Sequence, residues 1–265
     1  MNTDAIQSRD NERVRHARKV RDGKLTDEIF IEGVRLCEQA ASSKLEITDA
    51  LYTDRLLEHV RATDLLSELE ARCPDTAVLS EHVFASLSDT KSPQGIAVLA
   101  RRPITGENEF GGALRDVPLI VIMHRLNNPS NAGAILRVAE AAGATGIIAT
   151  AGTTDLFSPK SLRGAMGSTF RLPIWDKADF SVVLGWCRDR SIRTICGDAR
   201  AAIPYTEIDW TIPHALIVGP EAIGLTKDEI TLADETARIP MRQPVESLNV
   251  SVAVAVMLYE AARQR

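Results

Sequence analysis

The sequence predicts an α/β protein in which a mostly parallel sheet follows a smaller α/β unit. In the second half of the 265-residue chain, short apolar runs alternate with helical segments at the spacing of strand–helix–strand units. In the first part of the chain, helix-like stretches mix with short apolar runs. A segment rich in Gly, Pro and charged residues separates the two parts. Because knots are nearly absent from proteins, this alternation by itself predicts an open, doubly wound sheet.

The first unit is predicted to cover residues 1–103. Its helix-like stretches are FIEGVRLCEQAAS and TDLLSELEAR, and its apolar runs are AVLS and GIAVLAR. The segment RRPITGENEFGGALRD that follows has no periodic apolar pattern, which indicates a linker or flexible loop, placed at residues 104–116.

Residues 117–265 form the predicted second domain. Its expected strands are, in chain order, LIVIM, GIIAT, RLPIW, RTICG, HALIVG and ARIP, with helices between most of them. A final helix is expected from Ser247 onward. Strands this apolar are typical of a parallel sheet covered by helices on both faces.

Composition narrows the function classes. The longest apolar runs are too short to cross a bilayer, which favours a cytoplasmic protein. The four cysteines are scattered without CxxC or Cys/His pairing, so we expect buried free thiols and no metal site. The net charge of −5 argues against a surface that is basic throughout.

One segment near the N-terminus is nevertheless basic. Residues 11–24 carry a local net charge of +4, and the basic side chains are Arg13, Arg15, Arg18, Lys19, Arg21 and Lys24. We interpret this segment, with Arg15, Arg18 and Lys19, as a candidate phosphate-contacting patch. The alternative is a solvated helix face.

The stretch NNPSNAGAILRVAEAAG predicts a turn followed by a helix. Asn131 is expected to cap the helix and Gly143 to end it. The buried stripe is expected to consist of Ile135, Val138, Ala139 and Ala142. Arg137 lies off this stripe, where it is either a phosphate-binding guanidinium or an ordinary solvated charge.

The run LIVGPEAIGLT places a loop directly after a predicted strand, where ligands of α/β sheets bind. Its G-x-E-x-x-G pattern differs from a dinucleotide loop, because Glu221 would repel a pyrophosphate and Pro220 lacks a backbone donor. The loop suits a ligand with hydroxyl or cationic groups. A structural turn is the alternative.

The last segment, IPMRQPVESLNVSVAVAVMLYEAARQR, brings Ser247 and Asn249 to the start of the final helix, where either can cap it. That helix is apolar on nearly all sides up to Glu260. It therefore needs burial on both sides, and a second subunit is a natural cover for the side that the sheet leaves open.

In order and spacing, these three segments resemble the three motifs of the SPOUT-class RNA methyltransferases, specifically the TrmH (SpoU) family of 2'-O-ribose methyltransferases. The resemblance covers roughly residues 117–265 and includes SPKSLRGAMGSTFRLPI. It implies a SPOUT domain with a parallel sheet and a deep C-terminal trefoil knot, a homodimer, and S-adenosyl-L-methionine as cofactor. FIEGVRLCEQA and SPQGIAVLARR resemble the N-terminal RNA substrate-binding domain of ribosomal-RNA members, a module similar to a large-subunit ribosomal protein.

The resemblance assigns roles residue by residue. It implies that Arg137 is the catalytic arginine, and that the other site residues are Asn131, Glu221, Ser247 and Asn249. The adenosyl group would rest against the backbone near Gly219, Ile239 and Leu248, with Met241 and the loop after GIIAT nearby. The sequence departs from the family pattern at Ser130, Pro220 and Ala222.

The implied function is 2'-O-ribose methylation of RNA, with 23S ribosomal RNA favoured over tRNA because of the N-terminal domain. Arg137 would either accept the proton of the 2'-hydroxyl or hold a phosphate and stabilise the developing alkoxide. We favour the second role, since a guanidinium is a poor base. A tRNA methyltransferase and a catalytically inactive binding protein stay open. The missing G-x-G-x-x-G argues against a nicotinamide-dependent dehydrogenase.

Overall fold

The computed structural model describes residues 5–58, 60–73, 75–114, 117–220 and 224–265. The chain divides into two compact units, Met1–Pro103 with Phe157–Arg171, and Ile104–Leu156 with Leu172–Arg265. The limits predicted from the sequence place residues 157–171 in the second domain, whereas packing groups them with the first unit. The boundaries at 103 and 117 remain predictions.

Helices and strands alternate along the chain. The strands are β1 (Glu28–Glu32), β2 (Ile47–Tyr52), β3 (Thr76–Val78), β4 (Ile96–Arg101), β5 (Leu119–Met123), β6 (Gly146–Thr150), β7 (Ile174–Ala178), β8 (Arg193–Gly197), β9 (Ile203–Pro204), β10 (His214–Val218) and β11 (Glu235–Arg238). The α-helices are α1 (Glu12–Arg21), α2 (Val34–Ala41), α3 (Ala62–Arg72), α4 (Glu81–Leu87), α5 (Glu107–Gly112), α6 (Pro129–Ala141), α7 (Pro159–Ala165), α8 (Phe180–Asp189), α9 (Lys227–Leu232) and α10 (Val250–Gln264).

The first unit contains a four-stranded sheet in the order β1-β4-β2-β3, in which β2 and β3 pair in parallel and the other two neighbouring pairs are antiparallel. The helix predicted over TDLLSELEAR is confirmed as α3. FIEGVRLCEQAAS is not one helix: Phe30–Glu32 belong to β1, and α2 starts only at Val34. Gly33 makes the break because its φ of 100° is a conformation that other residues rarely adopt.

Helix α1 packs one face into this unit. Its start is capped by Asn11, whose side chain accepts a hydrogen bond from the backbone N–H of Arg13. Val14, Ala17 and Val20 are buried at a spacing of three residues and join the apolar cluster around Phe30. The opposite face of the helix is left for charged side chains.

The second unit contains a seven-stranded sheet in the order β7-β6-β5-β10-β8-β11-β9, and every neighbouring pair is parallel. The predicted α/β class with a parallel sheet is confirmed. The apolar runs predicted as strands form β5, β6, β7, β8, β10 and β11, while the two-residue β9 was missed because it carries no periodic pattern. The trefoil knot remains a prediction.

The segment predicted as an irregular linker contains helix α5. Phe110 of this helix is fully buried in the core of the second unit, with ring centroids 5.5 Å from Trp186 and 6.3 Å from Trp175. Gly146 at the start of β6 leaves the space for it, because a Cβ there would collide with the Phe110 ring. The expectation of a flexible loop is therefore wrong for residues 107–112.

The four cysteines are buried and form no disulfide, as predicted. Burial raises the pKa of Cys187 to about 12 and that of Cys196 to about 11, so neither thiol ionises at neutral pH. Within the described ranges, no group of three His, Cys, Asp or Glu side chains could hold a metal ion. In the same part of the chain, no helix is both long and apolar enough to cross a membrane.

The burial of Phe110 gives a stability prediction. Phe110→Ala should lower the free energy of unfolding of the second unit by about 3–5 kcal/mol, because it removes a fully buried ring. Tryptophan fluorescence during denaturant titration measures this, since all three tryptophans lie in the second unit. Val182→Ala, at a half-exposed position of α8, is the matched control. A linker without packing would give both variants the same small change.

Candidate active site

Two adjoining cavities lie where the parallel strands of the second unit end. The first, the polar chamber, has a volume of about 570 Å³ and is lined by Asn127, Asn128, Asn131, Gly219, Leu225 and Asn249, among others. The second, the apolar slot, has a volume of about 150 Å³ and is lined chiefly by Ala199, Ala237, Ile239, Met241 and Leu248. The two cavities share a wall formed by Gly197, Ser247, Leu248, Ala253 and Met257.

A hydrogen bond joins the first and third motifs at the polar chamber. The Nδ2 of Asn249 donates to the Oδ1 of Asn131 over 3.2 Å, across 118 residues of sequence. The two helices that carry these asparagines, α6 and α10, pack against each other. Residues that were predicted from separate motifs therefore meet at one place.

The caps of these helices differ partly from the prediction. Asn131 does not cap α6; it lies in the first turn, and Asn128 is the cap, with its side chain accepting from the backbone N–H of Ser130. Pro129 moves the helix start forward, because its fixed φ suits the first helical position. The final helix begins at Val250 rather than at Ser247, because the Asn249 side chain accepts from the backbone N–H of Ser251.

The second motif lines the polar chamber through Gly219, Pro220, Gly224 and Leu225. A Cβ on Gly219 would lie 2.9 Å from the backbone nitrogen of Leu225, so the loop closes on itself at this glycine. A larger residue would distort the loop before it met any ligand. Glu221, the acidic residue predicted for this motif, lies outside the described residues.

The apolar slot brings together Ile239, Met241 and Leu248, the residues expected near the adenosyl group. The loop after GIIAT, also expected there, contributes to neither cavity; residues 197–199 after β8 do so instead. The sheet order explains this difference, because β8 pairs directly with β10, whereas β6 is separated from β10 by β5. Asp198 was missed because a single acidic residue after a strand has no distinctive pattern.

Arg137 lies on the exposed side of α6, and its helix buries Ile135 and Ala139 as predicted. It lines neither cavity, since it is six residues, or about 9 Å along the helix axis, from Asn131. Among the described residues, none forms a hydrogen bond or ion pair with its guanidinium. Arg137 is therefore available to an anion that approaches from solvent.

A buried histidine that the sequence did not reveal ties the second motif to the end of β5. The Nε2 of His124 lies 3.1 Å from a carboxylate oxygen of Glu229, and its Nδ1 lies 2.9 Å from the hydroxyl of Thr150. Arg125 also pairs with Glu229. The other Glu229 oxygen accepts from the backbone N–H of Thr226 and closes the capping box of α9, directly after the chamber loop.

This cluster has a defined charge state at neutral pH. Burial lowers the pKa of His124, although Glu229 opposes the shift, so the imidazole is neutral. The pKa of Glu229 is also lowered, because hydrogen bonds from Thr226 and His124 together with Arg125 outweigh its desolvation. In its neutral form, His124 donates the hydrogen on Nε2 to the Glu229 carboxylate. This hydrogen bond therefore forms without protonation of the imidazole.

The lining suits an adenosyl cofactor. An adenine base needs an apolar recess. The apolar slot provides one, because the exposed side chain of Leu248 lines it together with Ile239 and Met241. The attached polar groups need hydrogen-bonding partners, which the asparagines of the polar chamber and the hydroxyl of Ser247 supply. The cavities therefore fit the cofactor that the sequence motifs imply.

Comparison with known proteins identifies the family. Residues 118–259 match the SpoU rRNA Methylase family, which is more than half of the chain, and residues 11–98 match the MRM3-like substrate binding domain. The chain belongs to the SpoU rRNA methylase family. The membership predicted from the three motifs is confirmed.

Relatives of this SpoU methylase align over almost its whole length. It is 29% identical to the 23S rRNA (guanosine(2553)-2'-O)-methyltransferase RlmP of Bacillus subtilis, over 96% of this chain and 97% of that protein. The SpoU methyltransferase AviRb from Streptomyces viridochromogenes, solved in complex with AdoMet, superposes with a TM-score of 0.86 at 27% identity, over 96% of this chain and 98% of that chain. An AdoMet-bound rRNA methyltransferase from Sinorhizobium meliloti superposes with a TM-score of 0.85 at 27% identity, over 98% and 97%.

In the first unit of this SpoU methylase, the three predicted phosphate contacts differ in their exposure to solvent. Arg15 and Lys19 are exposed and one helical turn apart on α1. Arg18 is half-buried and donates to the hydroxyl of Ser86. Arg13 pairs with Asp49, and Arg21 donates to backbone carbonyls of α4, so these two arginines hold α1 in place.

The His124 cluster predicts a pH dependence. Because the folded pKa of His124 lies below its unfolded value near 6.5, the unfolded chain binds the proton first, and stability is lost as the pH falls from 7 towards 5. His124→Gln cannot titrate, so its melting temperature should fall less over this range. Thermal melts followed by tryptophan fluorescence measure the difference.

Two further histidines make this comparison specific. His214, which is also buried with a lowered pKa, contributes equally to wild type and variant and cancels in the difference. The exposed His82 provides the control, since His82→Gln should leave the profile of the second unit unchanged. Parallel pH profiles for wild type and His124→Gln would contradict the assignment.

Proposed function

We propose that this SpoU methylase transfers a methyl group from S-adenosyl-L-methionine to a ribose 2'-hydroxyl of 23S ribosomal RNA. The observation that carries the proposal is the meeting of all three motifs around the polar chamber, with the Asn131–Asn249 hydrogen bond between two of them. RlmP, which aligns with 96% of this chain, is named as a 23S rRNA 2'-O-methyltransferase, and AviRb was solved with AdoMet. Ribosomal RNA as substrate makes the cytoplasm the proposed compartment.

The apolar slot is the proposed adenosine site. Ile239, Met241 and Leu248 would enclose the base, while Gly219 and Leu225 border the polar chamber beside it. When bound, the cofactor supplies an electrophilic methyl group on a sulfonium, so the protein has to align the 2'-hydroxyl and favour its deprotonation. Among the described residues that line the chamber, the motifs assign this task to Asn131, Ser247 and Asn249.

Arg137 is the proposed catalytic residue. Its exposed position suits a guanidinium that holds a backbone phosphate of the RNA next to the target ribose. Its positive charge would stabilise alkoxide character at the 2'-oxygen, and the phosphate or water would take the proton. Glu221, which lies outside the described residues, is kept in the proposal as the acidic residue of the second motif.

Substitution of Arg137 tests this role. Arg137→Ala should lower single-turnover methylation of ribosomal RNA by about 100- to 1000-fold, because an electrostatic stabiliser of the transition state is lost. Its affinity for S-adenosylhomocysteine should be unchanged, since Arg137 lines neither cavity. Arg137→Lys keeps the charge without the bidentate geometry and should recover part of the rate. Near-normal turnover of Arg137→Ala would refute the mechanism.

RNA capture is proposed for α1, with Arg15 and Lys19 as phosphate contacts and Arg18 as a weaker one. Arg15→Ala with Lys19→Ala should weaken RNA binding and reduce the slope of log affinity against log salt by about 0.7 to 0.9 per contact. Binding titrations at several salt concentrations measure both. Arg188→Ala, an exposed arginine on α8, is the control. An unchanged slope would make the segment a solvated helix face.

A homodimer is proposed from the outer side of α10. The exposed Val252 and Tyr259 and the half-buried Val256 follow one another at helical spacing and form an apolar stripe, whereas Val254 and Met257 are buried. Val252→Glu should therefore break the dimer, because it would bury an unpaired carboxylate in the interface. Sedimentation measures this, with the exposed Leu232→Glu as control. A monomeric wild type would overturn the proposal.

A further inference from the structure

Asp198 is the one acidic side chain among the described residues that line the apolar slot. It is the first residue after β8, and its backbone N–H donates to the carbonyl of Ala237 in the neighbouring β11 over 3.0 Å. The backbone at Asp198 is thus held by the sheet. The position of its carboxylate is set by the fold and not by a free loop.

Among the described residues, only one oxygen of the Asp198 carboxylate has a hydrogen-bond donor. Its Oδ1 accepts from the backbone N–H of Arg200 over 2.9 Å, while no described residue donates to Oδ2. The Arg200 guanidinium lies 3.6 Å from the same Oδ1 and is 81% exposed, so this ion pair neutralises little. The Asp198 side chain itself is only 20% exposed.

The lining around this carboxylate is apolar apart from Ser247. A ligand that fills the slot displaces water from Oδ2, and a carboxylate that loses its water is strongly unfavourable unless the ligand supplies hydrogen-bond donors. An anionic ligand such as a phosphate is disfavoured at this point. The slot therefore selects a ligand that carries hydroxyl or N–H donors next to an apolar face.

The position of Asp198 relative to the two cavities indicates which hydrogen-bond donors of the ligand it meets. The preceding residue, Gly197, lines both cavities, so Asp198 lies beside the junction between the apolar slot and the polar chamber. In an adenosyl ligand with its base in the slot and its reacting end in the chamber, the part at the junction is the ribose. Resting on the proposed function, we propose that Asp198 binds the ribose hydroxyls of the cofactor through its Oδ2.

The test is a binding experiment on the full-length protein. Titration calorimetry compares S-adenosylhomocysteine with its 2'-deoxy and 3'-deoxy analogues on wild type, Asp198→Ala and Asp198→Asn. Wild type should lose about 10- to 100-fold in affinity for the analogue that lacks the contacted hydroxyl, the range expected for a hydrogen bond to a charged acceptor. Asp198→Ala should bind S-adenosylhomocysteine that much more weakly, and should discriminate against that analogue less than threefold.

Two variants separate this contact from a structural role. Asp198→Asn can still accept from the backbone of Arg200, so its fold and melting temperature should match wild type while its affinity falls to an intermediate value. Arg200→Ala should leave the affinity and the ribose discrimination unchanged. A loss of discrimination in Arg200→Ala equal to that in Asp198→Ala would overturn the assignment.

Other ligand comparisons exclude neighbouring explanations. If Asp198→Ala abolished discrimination against S-inosylhomocysteine instead of the deoxy analogues, the partner would be the adenine amine and the ribose assignment would be wrong. If the ratio of affinities for S-adenosylmethionine and S-adenosylhomocysteine changed instead, the carboxylate would act on the sulfonium charge, which also overturns it. A wild type that binds neither ligand refutes the proposed function, whereas equal binding by wild type and Asp198→Ala refutes only this inference.

Discussion

The central position of β10 in the parallel sheet is the constraint on which the second unit depends. β10 pairs with β5 on one side and with β8 on the other, so His214 at its start lies opposite both Leu119 and Arg193. Because all strands run in one direction, their carboxyl ends meet at the same edge. That edge carries the loops after β5, β8, β10 and β11, from which the polar chamber and the apolar slot are built.

The loops at this edge are held by contacts of different strength and chemistry. The loop after β10 closes so tightly at Gly219 that no side chain fits there, and Glu229 anchors its far end to His124 and Arg125. The loop after β8 is tied to β11 through the backbone of Asp198. Both anchors lie outside the motif residues themselves.

The two cavities differ in polarity in the same way as the two ends of the proposed ligand. Among the described residues, the slot offers apolar side chains, the hydroxyl of Ser247 and the carboxylate of Asp198, whereas the chamber offers amides and backbone groups. In the second unit, Arg137 lines neither cavity and lies on an exposed helix face.

The sequence by itself determined the class of fold, most of the strands of the second unit, the family, and the motif residues that meet at the chamber. These features depend on local periodicity and on short motifs, which are visible along the chain. Only the tertiary structure decided that Asn128 rather than Asn131 caps α6, that Phe110 is a core residue, and that Val252 and not Val254 faces outward. It also decided that Asp198 lines the apolar slot and that His124 contacts Glu229. The reason is physical: His124 meets Glu229 across 105 residues and Asn249 meets Asn131 across 118, and no local pattern specifies which distant side chain will satisfy a buried or half-buried polar group.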